Sequence, residues 1–182
     1  MNICVYGASS KSIDKKYIDS VERLGEEMAR RGHMLVFGGG AEGLMGAAVR
    51  GLQRRGGRSL GIAPKFFDEP GILHETCDEF IFTETMRQRK QLMEERSDAF
   101  IMTPGGIGTF EEFFEILTLK QLGRHDKPIA VFNICGYYDE LEAMMRRAFS
   151  EGFMRKGSEN LYKSFGEASL LLNYIESKQK DE

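Results

Sequence analysis

Two neighbouring segments hold most of the residues that could do chemistry. The first is Met86-Arg87-Gln88-Arg89-Lys90-Gln91-Leu92-Met93, and the second is Pro104-Gly105-Gly106-Ile107-Gly108-Thr109-Phe110-Glu111-Glu112. One supplies positive charge; the other is a glycine run that ends in two carboxylates. Glycine lets backbone N–H groups turn toward one point and lets a ligand approach without a Cβ in the way. A helix starting directly after such a turn adds free N–H groups and the positive end of its dipole, which favour an anion. Two further turns have the same form: Gly7-Ala8-Ser9-Ser10, and Gly38-Gly39-Gly40 with Gly43 and Gly46. A tight strand-to-helix turn explains any one of the three. Three of them on one edge favour a phosphorylated ligand, with Ser9, Gly39, Gly40 and the Gly105–Thr109 run as its contacts.

The charged residues also have bland explanations. Met86, Lys90 and Met93 share a helix face with Arg89 beside them, and in isolation the arginine and lysine read as a solvated face. Thr109-Phe110-Glu111-Glu112 reads as a capping box, with Thr109 as N-cap and Glu112 reaching back from the third helical position. Neither reading explains two carboxylates directly after a glycine loop. An acid there repels a bound phosphate unless it faces another part of the ligand. A nucleotide has such a part, because its ribose hydroxyls can donate to a carboxylate while its phosphate sits on glycine N–H groups. No G-x-x-x-x-G-K-[ST] is present, which excludes a P-loop. Gly38, Gly40 and Gly43 give a G-x-G-x-x-G spacing, but no acidic residue ends a following strand as a ribose partner.

The elements that must position these groups alternate along the chain. Strands are expected at Ile3–Tyr6, Met34–Phe37, Ser59–Ala63, Phe80–Phe82, Phe100–Met102 and Ile129–Asn133. Helices are expected at Lys16–Arg31, Leu44–Arg55, Met86–Ser97, Thr109–Leu122, Tyr138–Phe149 and Phe165–Ile175. Short apolar strands, each followed by a helix, indicate an α/β fold: a doubly wound parallel sheet flanked by helices and buried on both faces. A single domain spans residues 1–176, and the charged tail Ser177–Glu182 is expected to fray. The longest irregular piece is Lys65–Glu79, and loops of that length in compact domains are usually functional or mobile.

Composition narrows the function classes. A formal net charge of −3 leaves no nucleic-acid footprint. No apolar run approaches the roughly 20 residues that cross a bilayer, and no signal peptide precedes the first strand. Cys4, Cys77 and Cys135 are scattered and form no C-x-x-C pair, so a reducing cytoplasm is the simple inference. His33, His74 and His125 are isolated in sequence, and no metal site is expected.

Four segments, in order, resemble one known family. Gly38-Gly39-Gly40 through Gly43-Leu44-Met45-Gly46 matches G-G-G-x-x-G-L-M-G, and Met86–Met93 matches M-x-x-R-K-x-x-M. Pro104–Glu112 matches P-G-G-x-G-T-x-x-E, and Asn133–Asp139 matches N-x-x-G-Y-Y-D. Together they resemble the LOG family of cytokinin riboside 5′-monophosphate phosphoribohydrolases, whose members are often labelled lysine decarboxylases. The resemblance implies a Rossmann-like fold, no metal or cofactor, and hydrolysis of a nucleoside 5′-monophosphate to free base and ribose 5-phosphate. It implies Arg89 and Glu112 as the catalytic pair. Lys90, Gly105, Gly106, Gly108 and Thr109 would contact the nucleotide, with Glu111 and Thr118 close by. It also implies at least a homodimer, with sites near the subunit interface. The Lys65–Glu79 loop departs from the plant pattern and would help to cover the base. Two competing readings remain. One is a non-hydrolytic carrier of a nucleotide or nucleotide-like cofactor, which needs the glycine loop but not the acid. The other is lysine decarboxylation, for which the chain has no recognisable pyridoxal-phosphate lysine context.

Overall fold

Every strand but two is buried along nearly its whole length, and the sheet is parallel throughout. The computed structural model describes residues 1–179. The chain alternates β1 (Asn2–Tyr6), α1 (Lys15–Arg30), β2 (Met34–Phe37), α2 (Gly43–Gln53), β3 (Ser59–Pro64), β4 (Glu79–Thr83) and α3 (Met86–Glu95). It continues with β5 (Ala99–Met102), α4 (Ile107–Gln121), β6 (Ile129–Phe132), α5 (Asp139–Ser150), β7 (Lys163–Phe165) and α6 (Ala168–Gln179). The strand order is β4-β3-β2-β1-β5-β6-β7. Alternate residues of β1 serve opposite faces, as the strand period requires. Ile3 and Val5 pack with α1, α2 and α6, whereas Cys4 and Tyr6 pack with α3, α4 and α5. Helices therefore cover both faces of the sheet, which is the doubly wound, Rossmann-like arrangement. Among the described residues, no helix is long and apolar enough to cross a membrane.

The order places a reversal beside β1. The chain steps outward from β1 to β4, and α3 then carries it back to β5 on the other side of β1. Ligands in open α/β sheets bind beyond the carboxyl ends of the strands at such a switch point. The turns after β1, β2 and β5 all emerge there.

Two local features differ from the sequence reading. The six expected strands are joined by a seventh, β7, which pairs with β6 through Phe132 and Phe165. Its three residues are too few for an alternating pattern to show. Phe165 therefore ends a strand, and α6 starts at Ala168 and continues to Gln179. Of the tail Ser177–Glu182, expected to fray, residues 177–179 lie in α6 and residues 180–182 lie outside the described residues.

The second difference concerns caps. Helix α4 begins at Ile107 with Gly106 as N-cap, so Thr109 is its third helical residue and Glu112 lies a turn deeper. There is no Thr109–Glu112 capping box. The capping box lies one helix earlier: the Thr85 hydroxyl accepts from Gln88 N, and the Gln88 side chain accepts from Thr85 N.

The β3–β4 connection is the irregular piece expected at Lys65–Glu79. Neighbouring parallel strands need a crossover of a dozen or more residues, usually a helix. Here the crossover is the Lys65–Asp78 loop, which holds one 3₁₀ turn at Lys65–Phe67. Its return limb is pinned. Ala41 N donates to Ile72 O and His74 N to Gly39 O, and Gln53 Nε2 donates to Thr76 O at 2.6 Å. The loop thus lies along the glycine turn that follows β2.

Candidate functional site

The three glycine turns touch one another. Ala8 N donates to Pro104 O at 3.1 Å, and Leu44 N donates to Ala8 O at 2.8 Å. Packing dictates some of their glycines. A Cβ on Gly7 would stand 2.3 Å from Thr103 Oγ1, and one on Gly43, at φ 60°, would stand 2.3 Å from Ala8 O. Gly106 and Gly108 are different. Both are exposed, neither has a positive φ, and a Cβ at either meets nothing within 4 Å. The chain itself does not require glycine at these positions, whereas a ligand seated against the backbone would. The first hydrogen bond of α4 runs from Phe110 N to Gly106 O. The N–H groups of Ile107, Gly108 and Thr109 precede it, and Gly106 offers them no side-chain cap. This end of the helix suits an anion.

Behind the loop lies a buried ion pair. Arg89 on α3 is 6% exposed. Its Nη1 donates to Glu112 Oε1 at 2.6 Å and its Nε donates to Ile62 O at 3.2 Å. Its Nη2 lies against Gly38, where a Cβ would stand only 2.1 Å away. Gly38 is thus needed to let the guanidinium into the wall. The Glu112 side chain is 12% exposed. Burial pushes its carboxyl up from the usual carboxylate range, and the Arg89 guanidinium pulls the other way. Tyr6, beneath the pair, is held well above the usual phenol range by burial and stays protonated.

The pair faces a crevice with two lobes that share Ser9, Met45, Phe67 and Arg89. The polar lobe, about 400 Å³, runs from Gly7–Ser10 to Gly106, Gly108, Thr109, Glu111 and Glu112. The second lobe, about 330 Å³, is lined by Gly38, Gly40, Ile72 and Leu73 as well as Met45 and Phe67. Its apolar walls come from the β3–β4 loop and α2. Ligand pockets typically enclose about 300–1,000 Å³ and combine apolar walls with a few placed polar groups.

Most of the sequence-picked residues therefore meet in one place: Arg89, Glu112, Glu111, Ser9, Gly40, Gly106, Gly108 and Thr109. Gly105 sits just behind, buried, where a Cβ would collide with the Thr109 side chain. Three do not join them. Gly39 supports the turn at φ 76° and backs onto the Phe80 ring rather than the crevice. Lys90 points into the cleft between α3 and α4, where it pairs with Glu111 and, at 2.6 Å, with Glu115. Burial opposes its charge, but those two carboxylates hold the amine above its usual range. Thr118 is exposed on α4 and donates to Phe114 O. The sequence reading placed Gly38 in a glycine turn and Met45 in a motif without naming either as a contact; Phe67, Ile72 and Leu73 were signalled only as part of the Lys65–Glu79 segment. His33, His74 and His125 each lie beside a protein partner, Glu176, Gln53 and Ile116 O respectively. Among the described residues, no group of three or more His, Cys, Asp or Glu is placed to hold a metal ion.

Fold and site define an open α/β protein with an anion-suited crevice at its switch point and a buried Arg–Glu pair in the crevice wall. The family described as "possible lysine decarboxylase" matches residues 45–175. The cytokinin riboside 5′-monophosphate phosphoribohydrolase LOG2 of Arabidopsis thaliana is 39% identical over 96% of this chain and 82% of its own length. LOG5 of the same plant is 37% identical over 96% and 77%. The chain belongs to this family, the LOG family of phosphoribohydrolases. Among solved structures, the molybdenum cofactor binding protein of Rippkaea orientalis superposes with TM-score 0.74 at 23% identity, over 97% of this chain and 95% of that one. The Moco carrier protein of Chlamydomonas reinhardtii gives TM-score 0.74 at 19% identity, over 100% and 98%. At these identities the likeness is one of fold.

The open space at Gly108 yields a test. Gly108→Ala lies inside a helix and meets no neighbour, so it should raise stability by about 0.5–1 kcal/mol. If the space belongs to a ligand, the same change weakens the binding of ribose 5-phosphate, read by titration calorimetry. A variant that is more stable and binds as the wild type does would show that the loop backbone is not the anion site.

Proposed function

We propose that this protein hydrolyses the N-glycosidic bond of a nucleoside 5′-monophosphate, of the AMP or cytokinin riboside monophosphate type, releasing free base and ribose 5-phosphate. The observation that carries this reading is the buried Arg89–Glu112 pair in the wall of a crevice whose opposite side offers backbone N–H groups. The names of its relatives support it. The phosphate sits on the Gly106–Thr109 turn, the ribose faces Glu112, and the base lies toward Met45, Phe67 and Leu73. Water adds its oxygen to C1′, and the C1′–N bond breaks with its electron pair leaving on the base, which gains a proton. Positive charge grows on the sugar in this step, as in other glycoside hydrolyses. Glu112 answers that charge through the ribose hydroxyls or through the attacking water. Arg89 is anchored on Ile62 and keeps the carboxylate aimed. A carrier protein would need the anion turn but gains nothing from a desolvated carboxylate beside the sugar.

Two outcomes follow for the wild type and Glu112→Gln, assayed for free base. The wild type should cleave 5′-monophosphates and leave the matching nucleosides untouched, because the nucleosides lack the group that the glycine turn holds. Glu112→Gln should lose at least about a hundredfold in turnover. It should also melt lower, since breaking a buried pair costs about 3–5 kcal/mol. The Glu112 proton is held more tightly than in an ordinary carboxylate. The reactive carboxylate form is therefore lost on acidification at a pH above the usual carboxylate range, and kcat/KM falls there. Equal turnover of AMP and adenosine, or near-wild-type rates in Glu112→Gln, would remove the basis for the assignment.

A homodimer or larger assembly belongs to the same proposal. Ile107, Phe114 and Leu122 are 82%, 38% and 58% exposed and line one side of α4, with Thr118 among them. Covering that stripe with a second copy would hide its apolar surface. Light scattering should return at least twice the chain mass at micromolar concentration; a monomer mass contradicts the assembly.

A further inference from the structure

The Asn133–Asp139 segment shares no hydrogen bond or ion pair with Arg89 or Glu112, yet its tyrosines bond to the anion loop. Tyr138 is fully buried, and its hydroxyl donates to Thr103 O at 2.7 Å. The Tyr137 hydroxyl donates to Gly105 O at 2.8 Å. Between them, Pro104 O accepts from Ala8 N at 3.1 Å, and the next carbonyl, Gly106 O, accepts the first bond of α4 from Phe110 N. Four successive carbonyls, from residue 103 to residue 106, are thus each claimed by a donor. A planar trans peptide points its N–H opposite to its C=O. Holding the Gly105 carbonyl down on Tyr137 therefore turns the Gly106 N–H the other way. An anion approaching this loop would meet the Gly106 N–H and the free N–H groups of the first turn of α4, with the carbonyls of residues 103–106 directed at their own donors.

The two tyrosines are themselves held in place. Asn133 Oδ1 accepts from Tyr138 N at 2.7 Å, and Asn133 Nδ2 donates to Asp139 Oδ1 at 2.8 Å. Cys135 adopts φ 53°, the one non-glycine residue with positive φ among those described, and Gly136 follows at φ 73°. A Cβ on Gly136 would stand 2.6 Å from Asp139 Oδ2. This turn sets two consecutive tyrosines at 85° to each other, with ring centroids 4.8 Å apart. Their hydroxyls can then reach two carbonyls spaced two residues apart. The Tyr137 ring also meets Tyr17 of α1 edge-on at 5.9 Å.

The geometry points to Tyr137 and Tyr138 as positioning residues that pre-set the Pro104–Thr109 turn for the 5′-phosphate of the substrate. The role rests on the phosphate-bearing substrate proposed above. A group that acts only on the phosphate seat stabilises ground state and transition state alike, so its loss appears in KM and not in kcat. Tyr137→Phe removes one hydroxyl and keeps both ring contacts. It should weaken ribose 5-phosphate binding about three- to tenfold, the range for one lost hydrogen bond. It should raise KM for AMP by the same factor with kcat essentially unchanged. Tyr138→Phe strands a buried carbonyl and should lower the melting temperature in addition.

Ribose 5-phosphate affinity by calorimetry and AMP kinetics on the two variants decide the matter. Unchanged affinity and KM in Tyr137→Phe, or a fall in kcat at constant KM, overturns the positioning role and leaves the hydrolase reading intact. A wild type that binds ribose 5-phosphate but releases no base from any nucleotide, with binding still weakened in Tyr137→Phe, overturns the hydrolase reading and keeps the positioning role. A wild type without affinity for ribose 5-phosphate overturns the positioning role outright.

Discussion

The Arg89–Glu112 ion pair is the constraint to which the rest of the site conforms. Taking both charges out of water costs several kcal/mol per ion, and only close geometry recovers that cost. Such a pair is a poor device for stability, since apolar side chains of the same size would commonly serve as well or better. Its setting has been shaped to keep it. Gly38 leaves room for the guanidinium, Ile62 offers a carbonyl to Nε, and α3 and α4 are placed to bring the two charges within 2.6 Å. Lys90 adds a second bridge between the same helices through Glu111 and Glu115. The lysine helps to fix the spacing that the buried pair requires.

The switch-point topology explains why these groups meet the glycine turns. Helix α3 returns from the sheet edge at β4 to the centre at β5, so it passes beneath the crevice and delivers Arg89 there. Helix α4 leaves β5 at the same place and presents its free N–H groups first and Glu112 a turn and a half later. The free N–H groups and the carboxylate are thus separated along one helix, which lets an acid and an anion-suited helix end coexist on one element. The β3–β4 loop closes the far side. Because it replaces a crossover helix, it is free to lay Phe67, Ile72 and Leu73 against the crevice.

Much of this was legible in the sequence. Alternating apolar and amphipathic segments gave the doubly wound class, and the three glycine turns fell at the strand ends that converge. What periodicity could not show was Arg89 in a core position. Within α3 only Arg89 and Met93 are buried, one turn apart. A hydrophobicity pattern assigns an arginine to solvent whatever the tertiary partner. The capping-box reading of Thr109 and Glu112 failed because Gly106 starts the helix early: the S/T-x-x-E pattern was present, but the box itself formed at Thr85 and Gln88. Strand β7 was too short to register. The places of Lys90 and Thr118 depended on helix packing, which one sequence does not encode locally. Family resemblance singled out Arg89 and Glu112 as the candidate pair, and the structure supplied their burial and contact.

The central claim is that water cleaves the bond between C1′ and the base while the phosphate stays attached. The most direct measurement is to incubate the protein with AMP in water enriched in oxygen-18 and to analyse the products by mass spectrometry. Free adenine together with ribose 5-phosphate carrying one heavy oxygen, located at C1 when the sample is quenched before exchange with solvent, is the predicted result. Adenosine with labelled inorganic phosphate, or AMP recovered intact from a protein that binds it, would contradict the account.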